Sequence, residues 1–142
     1  QYRATQIGQC KTDALAENLS EIAPYTEIKT ITARLSEDNL ATLLKDADII
    51  CEAFDNAEAK AMLVNGVLEQ LPDCFLVAAS GMAGMGSANS IKTRKLTKYF
   101  YLCGDEVSET SEAVSLVASR VMICAAHQAH MVLRILAEEF EI

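Results

Sequence analysis

The sequence predicts an α/β fold in which parallel βαβ units are followed by a mixed or antiparallel edge and a long C-terminal helix. Three observations carry this. Ile49-Ile50-Cys51 and Phe75–Ala79 are short apolar runs of the kind that form fully buried strands. Helix-forming segments alternate with them through the middle of the chain, the pattern of crossover units on a parallel sheet. After Ala79 the rhythm breaks into a glycine loop, two short strand-like runs and a long helical tail.

In order, Gly8 to Ile22 reads as an amphipathic helix with Leu15, Leu19 and Ile22 at i, i+4, i+7, stopped by Pro24. Glu27 to Ala33 alternates and is rich in β-branched residues, so a strand is predicted there. Ser36 has the chemistry of an N-cap, with Glu37 and Asp38 in the first turn, where the helix dipole favours acids. That helix reaches about Lys45, with Leu40, Leu43 and Leu44 facing in. The strand around Ile49–Cys51 follows. Asn56 can cap the next helix, which carries Leu63, Val67 and Leu71 and ends at Pro72-Asp73. Ser80 to Asn89 is a loop. Ser90–Lys95 and Tyr99–Cys103 form a predicted hairpin. Glu112 to Phe140 is helical, with Val114, Val117, Val121, Ala125, Val132 and Leu136 on or near one face and alanines that permit close helix approach. All 142 residues are assigned to a single domain.

Net charge is −8 and the pI is near 4.7, which argues against nucleic acid or an anionic membrane as partner. Five scattered cysteines without a CxxC pair fit reduced thiols in the cytoplasm better than a disulfide framework or a zinc site. No continuous apolar run of about 18 residues is present, and no signal peptide is visible.

Asp48–Lys60 organises the chain. A strand that ends in a carboxylate and turns straight into a helix puts that carboxylate at the C-terminal edge of a sheet, where open α/β sheets bind ligands. Asp55-Asn56 reads either as a Mg²⁺- or phosphate-orienting pair or as two helix caps. Lys11, at the start of a helix, works against the dipole; it reads either as an anion ligand or as a solvated lysine. Gly81-x-x-Gly-x-Gly reverses the dinucleotide fingerprint and precedes a strand, so it is read as a mobile loop. Thr93-Arg94-Lys95 is read as a solvated strand face. His127 and His130 lack the further ligands a metal needs. Cys103 is read as a buried or inert thiol, and Cys51 and Cys124 as core.

Gln1-Tyr2, Gln6-Ile7-Gly8, Lys11 and Asp55-Asn56 together resemble the activating-enzyme superfamily of ThiF, MoeB and HesA. SGMAGMGSANSIKTRK, YLCGD and AAHQAHMVLRIL narrow the resemblance to bacterial ThiF-like sulfur carrier adenylyltransferases of thiamine biosynthesis. The resemblance covers essentially the whole chain. It implies a Rossmann-like E1-type fold and adenylation of the C-terminal glycine of a small ubiquitin-like carrier by Mg-ATP, with release of pyrophosphate. It matches Gln1 to the glutamine of an N-R-Q phosphate motif and Lys11 to the phosphate-binding lysine. It matches Asp55 to the aspartate that holds Mg²⁺, Asn56 to its partner, and Leu35 to the adenine-packing position. It implies a homodimer, a carrier ending in Gly-Gly, and no zinc, since the CxxC pairs of some relatives are absent. Lys60 stands where many relatives have arginine. The family's glycine-rich ATP loop, ribose-binding acid and motif arginine would lie before Gln1, so the chain is expected to be a C-terminal portion that is inactive alone. Two rivals remain: a non-catalytic partner-binding or dimerisation module of the same fold, and an NAD-dependent oxidoreductase, which the missing GxGxxG disfavours.

Overall fold

A computed structural model describes residues 2–142; Gln1 lies outside the described residues. They fall into two compact units, the second running from Leu35 to Ile142.

The first unit is built on α1 (Lys11–Ile22). Its buried positions are Ala14 and Asn18, not the predicted leucine stripe: Leu15, Leu19 and Ile22 are exposed. The buried face carries an amide pair instead. Gln6 donates to the Asn18 side chain at 2.9 Å and to the Ala14 carbonyl at 3.2 Å. Residues 27–33 adopt no regular structure, which corrects the strand predicted there. A strand exists by pairing its backbone groups, and the described part of this unit holds no second strand.

The second unit is a four-stranded sheet with helices on both faces. β1 (Ile49–Cys51), β2 (Phe75–Ala79) and β4 (Phe100–Gly104) run parallel, and β3 (Lys92–Lys95) is antiparallel to β4, in the order β1-β2-β4-β3. Ile50 lies opposite Leu76, and Ala79 opposite Cys103. The period-two alternation of β2 assigns its side chains to two cores. Leu76 and Ala78 join Leu40 of α2 (Glu37–Leu44) and Leu63 and Val67 of α3 (Ala57–Gln70). Val77 and Ala79 join Cys124, Met131 and Ile135 of α4 (Ala118–Leu136). Burying each of the large aliphatic side chains contributes about 1.5–3 kcal/mol, and this two-sided burial fixes the register.

The caps follow the sequence. The Asn39 side chain accepts the Ser36 N–H at 2.9 Å, and Asn56 Oδ1 accepts the Ala59 N–H at 2.9 Å. Asn56→Ala is expected to lower stability by about 1 kcal/mol, read as a lower urea midpoint at unchanged m-value.

α4 is shorter than predicted and its buried face differs. Arg120, Cys124, Gln128, Met131 and Ile135 face in, while Ala125 and Leu136 are exposed. The stripe was misread because two of its members are polar. Cys51, assigned to the core, is exposed at the end of β1. Cys103 and Cys124 are buried, and burial pushes both thiols up, Cys124 to about 11. Among the described residues no helix is long and apolar enough to cross a membrane.

Candidate active site: a cleft at the C-terminal edge of the sheet

β1, β2 and β4 end together, and the segments that follow them open a cavity of about 360 Å³. One wall is Phe54-Asp55 and the start of α3. The second is Ser80–Ala83, after β2. The third is Ser108–Thr110, after β4, with Leu116 beyond it.

Asp55 is exposed in this cleft and, among the described residues, carries no hydrogen bond or ion pair. The two sequence readings therefore separate: Asn56 caps α3, and Asp55 does not. A hard cation such as Mg²⁺ takes one or two carboxylates and completes its shell with water and substrate phosphates. An uncommitted carboxylate at the mouth of a cleft fits that demand. No cluster of three or more His, Cys, Asp or Glu side chains placed to hold a metal occurs among the described residues, so Asp55 would hold such an ion together with oxygens of the nucleotide.

The floor holds a pair that sequence reasoning missed. Glu52 is 1% exposed. Lys60 Nζ lies 2.9 and 3.0 Å from its two carboxylate oxygens and 3.2 Å from the Ala79 carbonyl. Glu52 also accepts the N–H groups of Phe54 and Ala79. Gln128, buried on α4, donates to the Glu52 carbonyl at 2.8 Å. The sequence signal was a carboxylate placed straight after an apolar strand.

A second buried charge, also unforeseen, is Arg120. It is buried in the first turn of α4, pairs with Asp105, and donates to the Ser87 carbonyl at 3.0 Å and Ser90 Oγ at 3.1 Å. A cation there opposes the helix dipole, and Asp105 supplies the counter-charge. Burial pushes the Asp105 carboxyl up, but the N–H groups of Ser108 and Val107, the Ser108 hydroxyl and Arg120 outweigh it and hold it at about 2. A depressed folded value means stability gained above the unfolded value of about 3.9 and lost as pH falls toward the folded one. The stability advantage over Asp105→Asn should thus be full at pH 5, shrink below about 4, and be nearly gone at about 2; urea midpoints across that range check this.

Lys11 belongs to the first unit. It opens α1 beside a concavity lined by Cys10, Thr12 and Ile31–Arg34. Hydrogen bonds from Thr12 and Thr32 draw the exposed Cys10 thiol below its ordinary range. Leu35 is half-buried against the core of α2 and α3 and is not among the residues lining the Asp55 cleft. His127 Nδ1 lies 2.9 Å from Thr93 Oγ1. Arg94 and Lys95 pair with Glu106 and Glu141, but Thr93 and Lys95 are half-buried, so the run is not a single solvated face.

The family of ThiF matches residues 1–141. The chain belongs to the ThiF family. This confirms the E1-like resemblance, and the sheet with helices on both faces is the expected Rossmann-like architecture. Among solved structures the ThiF-family chain is similar to E. coli tRNA N6-threonylcarbamoyladenosine dehydratase, TcdA. It matches the complex with AMP at 14% identity and a TM-score of 0.75, over 96% of this chain and 68% of that one. The complex with ATP gives 14% identity and 0.69, over 93% and 67%. At this identity the likeness speaks for the fold. No curated protein matches the sequence.

Proposed function

We propose that this ThiF-family chain is part of an adenylyltransferase that activates the C-terminal glycine of a small ubiquitin-like sulfur carrier, ThiS-like and serving thiamine biosynthesis. The observation that carries the reading is Asp55: an exposed carboxylate, without a partner among the described residues, in the cleft where β1, β2 and β4 end. A carrier carboxylate oxygen attacks the α-phosphorus of ATP, the bond to the β-phosphate breaks, and pyrophosphate leaves. Two anions must approach each other, so the charge between them has to be screened. Bound Mg²⁺ would supply part of that screening. In this reading Asp55 fixes where the positive charge sits, and Asn56 holds the turn beside it. The phosphate roles of Lys11 and Gln1 and the adenine role of Leu35 rest on the family resemblance alone.

Among carboxylate substrates, a carrier protein is favoured over a nucleic acid such as the tRNA in the neighbours' name. A chain with net charge −8 repels a phosphate backbone. A homodimer belongs to the same proposal. Ala125, Ala126 and Ala129 are exposed on α4 and leave room for a second copy to approach.

The test is carrier-dependent exchange of labelled pyrophosphate into ATP, on the longest natural form of the protein with a carrier ending in Gly-Gly. Exchange that requires the carrier supports the reading. Exchange driven by tRNA instead would transfer the chemistry to another substrate.

A further inference from the structure

A carboxylate as buried as Glu52 is costly unless its lone pairs are used. They are used, by Lys60 on both oxygens and by the Phe54 and Ala79 N–H groups. The reverse also holds. An ammonium has three protons, and three acceptors surround Lys60: both Glu52 oxygens and the Ala79 carbonyl. Lys60 is the one cation among the described residues lining the cleft, yet it has no proton left for an occupant. It acts on the shape of the cleft rather than on what fills it.

The attachment points explain which shape. Phe54 is the residue before Asp55. Ala79 ends β2 and leads into the Ser80-Gly81 wall. Lys60 stands on the first turn of α3, whose cap is Asn56. From behind, Gln128 ties the Glu52 carbonyl and, at 3.3 Å, the Val77 carbonyl to α4. A single buried side chain therefore joins the end of β1, the end of β2 and the start of α3, the three pieces between which Asp55 is suspended. We infer that Glu52 and Lys60 form a clasp that positions Asp55 at the cleft, with Glu52 a positioning residue acting through Lys60 and the Phe54 N–H. The geometry stands by itself; its consequence for turnover rests on the adenylation reading.

The experiment uses the longest natural form and the double variant Glu52→Gln/Lys60→Met, which removes both charges so that neither is stranded in the interior. Lys60→Arg, which keeps the ion pair, is the rescue control. Peptide-level hydrogen exchange is followed over residues 53–56, with β4 and α4 as internal references. Carrier-dependent ATP–pyrophosphate exchange is measured on the same samples. The clasp predicts that the Phe54 amide, which Glu52 holds, exchanges about tenfold faster or more in the double variant while the references are unchanged. It predicts turnover lower by about tenfold or more with KM for ATP within about threefold, and near-normal values in Lys60→Arg. Unchanged exchange at 53–56 overturns the clasp. Faster exchange with wild-type turnover overturns its positioning role. If the wild type itself shows no pyrophosphate exchange, the adenylation reading fails, and the amides of residues 53–56 alone decide the clasp.

Discussion

Asp55→Ala is expected to reduce carrier-dependent ATP–pyrophosphate exchange by roughly a thousandfold while leaving stability within about 0.5 kcal/mol of wild type. The stability half follows from structure: the side chain is exposed, caps nothing and pairs with nothing among the described residues. The activity half follows from charge. Screening the meeting of carboxylate and phosphate is worth several kcal/mol, and about 4 kcal/mol corresponds to a factor of roughly a thousand in rate. Asp55→Asn should behave like alanine, because it keeps the shape and loses the charge. Asn56→Ala should instead cost stability first. Variants of adjacent residues thus separate the site from its scaffold. Thermal melts beside exchange assays check both halves.

Gly104→Ala is expected to prevent the protein from folding. Gly104 ends β4 with φ +143°, a conformation that L side chains rarely adopt, and an added Cβ would sit 1.6 Å from the Ser80 carbonyl oxygen. That oxygen is backbone, and it accepts the Glu106 N–H at 3.2 Å, while Gly81 accepts the Asp105 N–H at 2.8 Å. The segments leaving β2 and β4 are zipped together at this point, so neither can yield without opening the cleft wall. The cost exceeds the roughly 4–5 kcal/mol that marks the severe tail of single substitutions. Gly84→Ala is the comparison. It too has positive φ, at +70°, but its nearest neighbour is the Val114 side chain at 3.3 Å. It should fold with a loss of about 1 kcal/mol or somewhat more. Soluble yield and the dispersion of amide NMR signals distinguish the two outcomes.

What could be read in advance was what local chemistry decides. The apolar run at Phe75–Ala79 is β2 to the residue, because a strand buried on both faces leaves no ambiguity of period. The Asn56 cap, the hairpin and the carboxylate at the sheet edge followed from residue type and order. The misreadings share one cause, pairing across the chain. Residues 27–33 have the composition of a strand, but composition does not supply a neighbour. The leucines of α1 have the spacing of a core stripe and stay exposed, while an amide pair takes the buried face. Glu52, Arg120 and Gln128 are buried against polar partners 8 to 76 residues away, and a hydrophobicity pattern cannot register that. These residues brace the segments around the cleft from outside its lining, so the sequence pointed to Asp55 at the sheet edge and missed what holds the segments beside it.

The central claim is that Asp55 serves the adenylation of a protein carboxylate. The most direct measurement is carrier-dependent ATP–pyrophosphate exchange by the longest natural form, run beside Asp55→Ala and Lys11→Ala. The account predicts exchange that needs both Mg²⁺ and a carrier ending in Gly-Gly, and that collapses in both variants. No exchange from a folded, Mg²⁺-supplied protein across several such carriers, or full exchange in Asp55→Ala, would contradict it and favour a non-catalytic module of the ThiF fold.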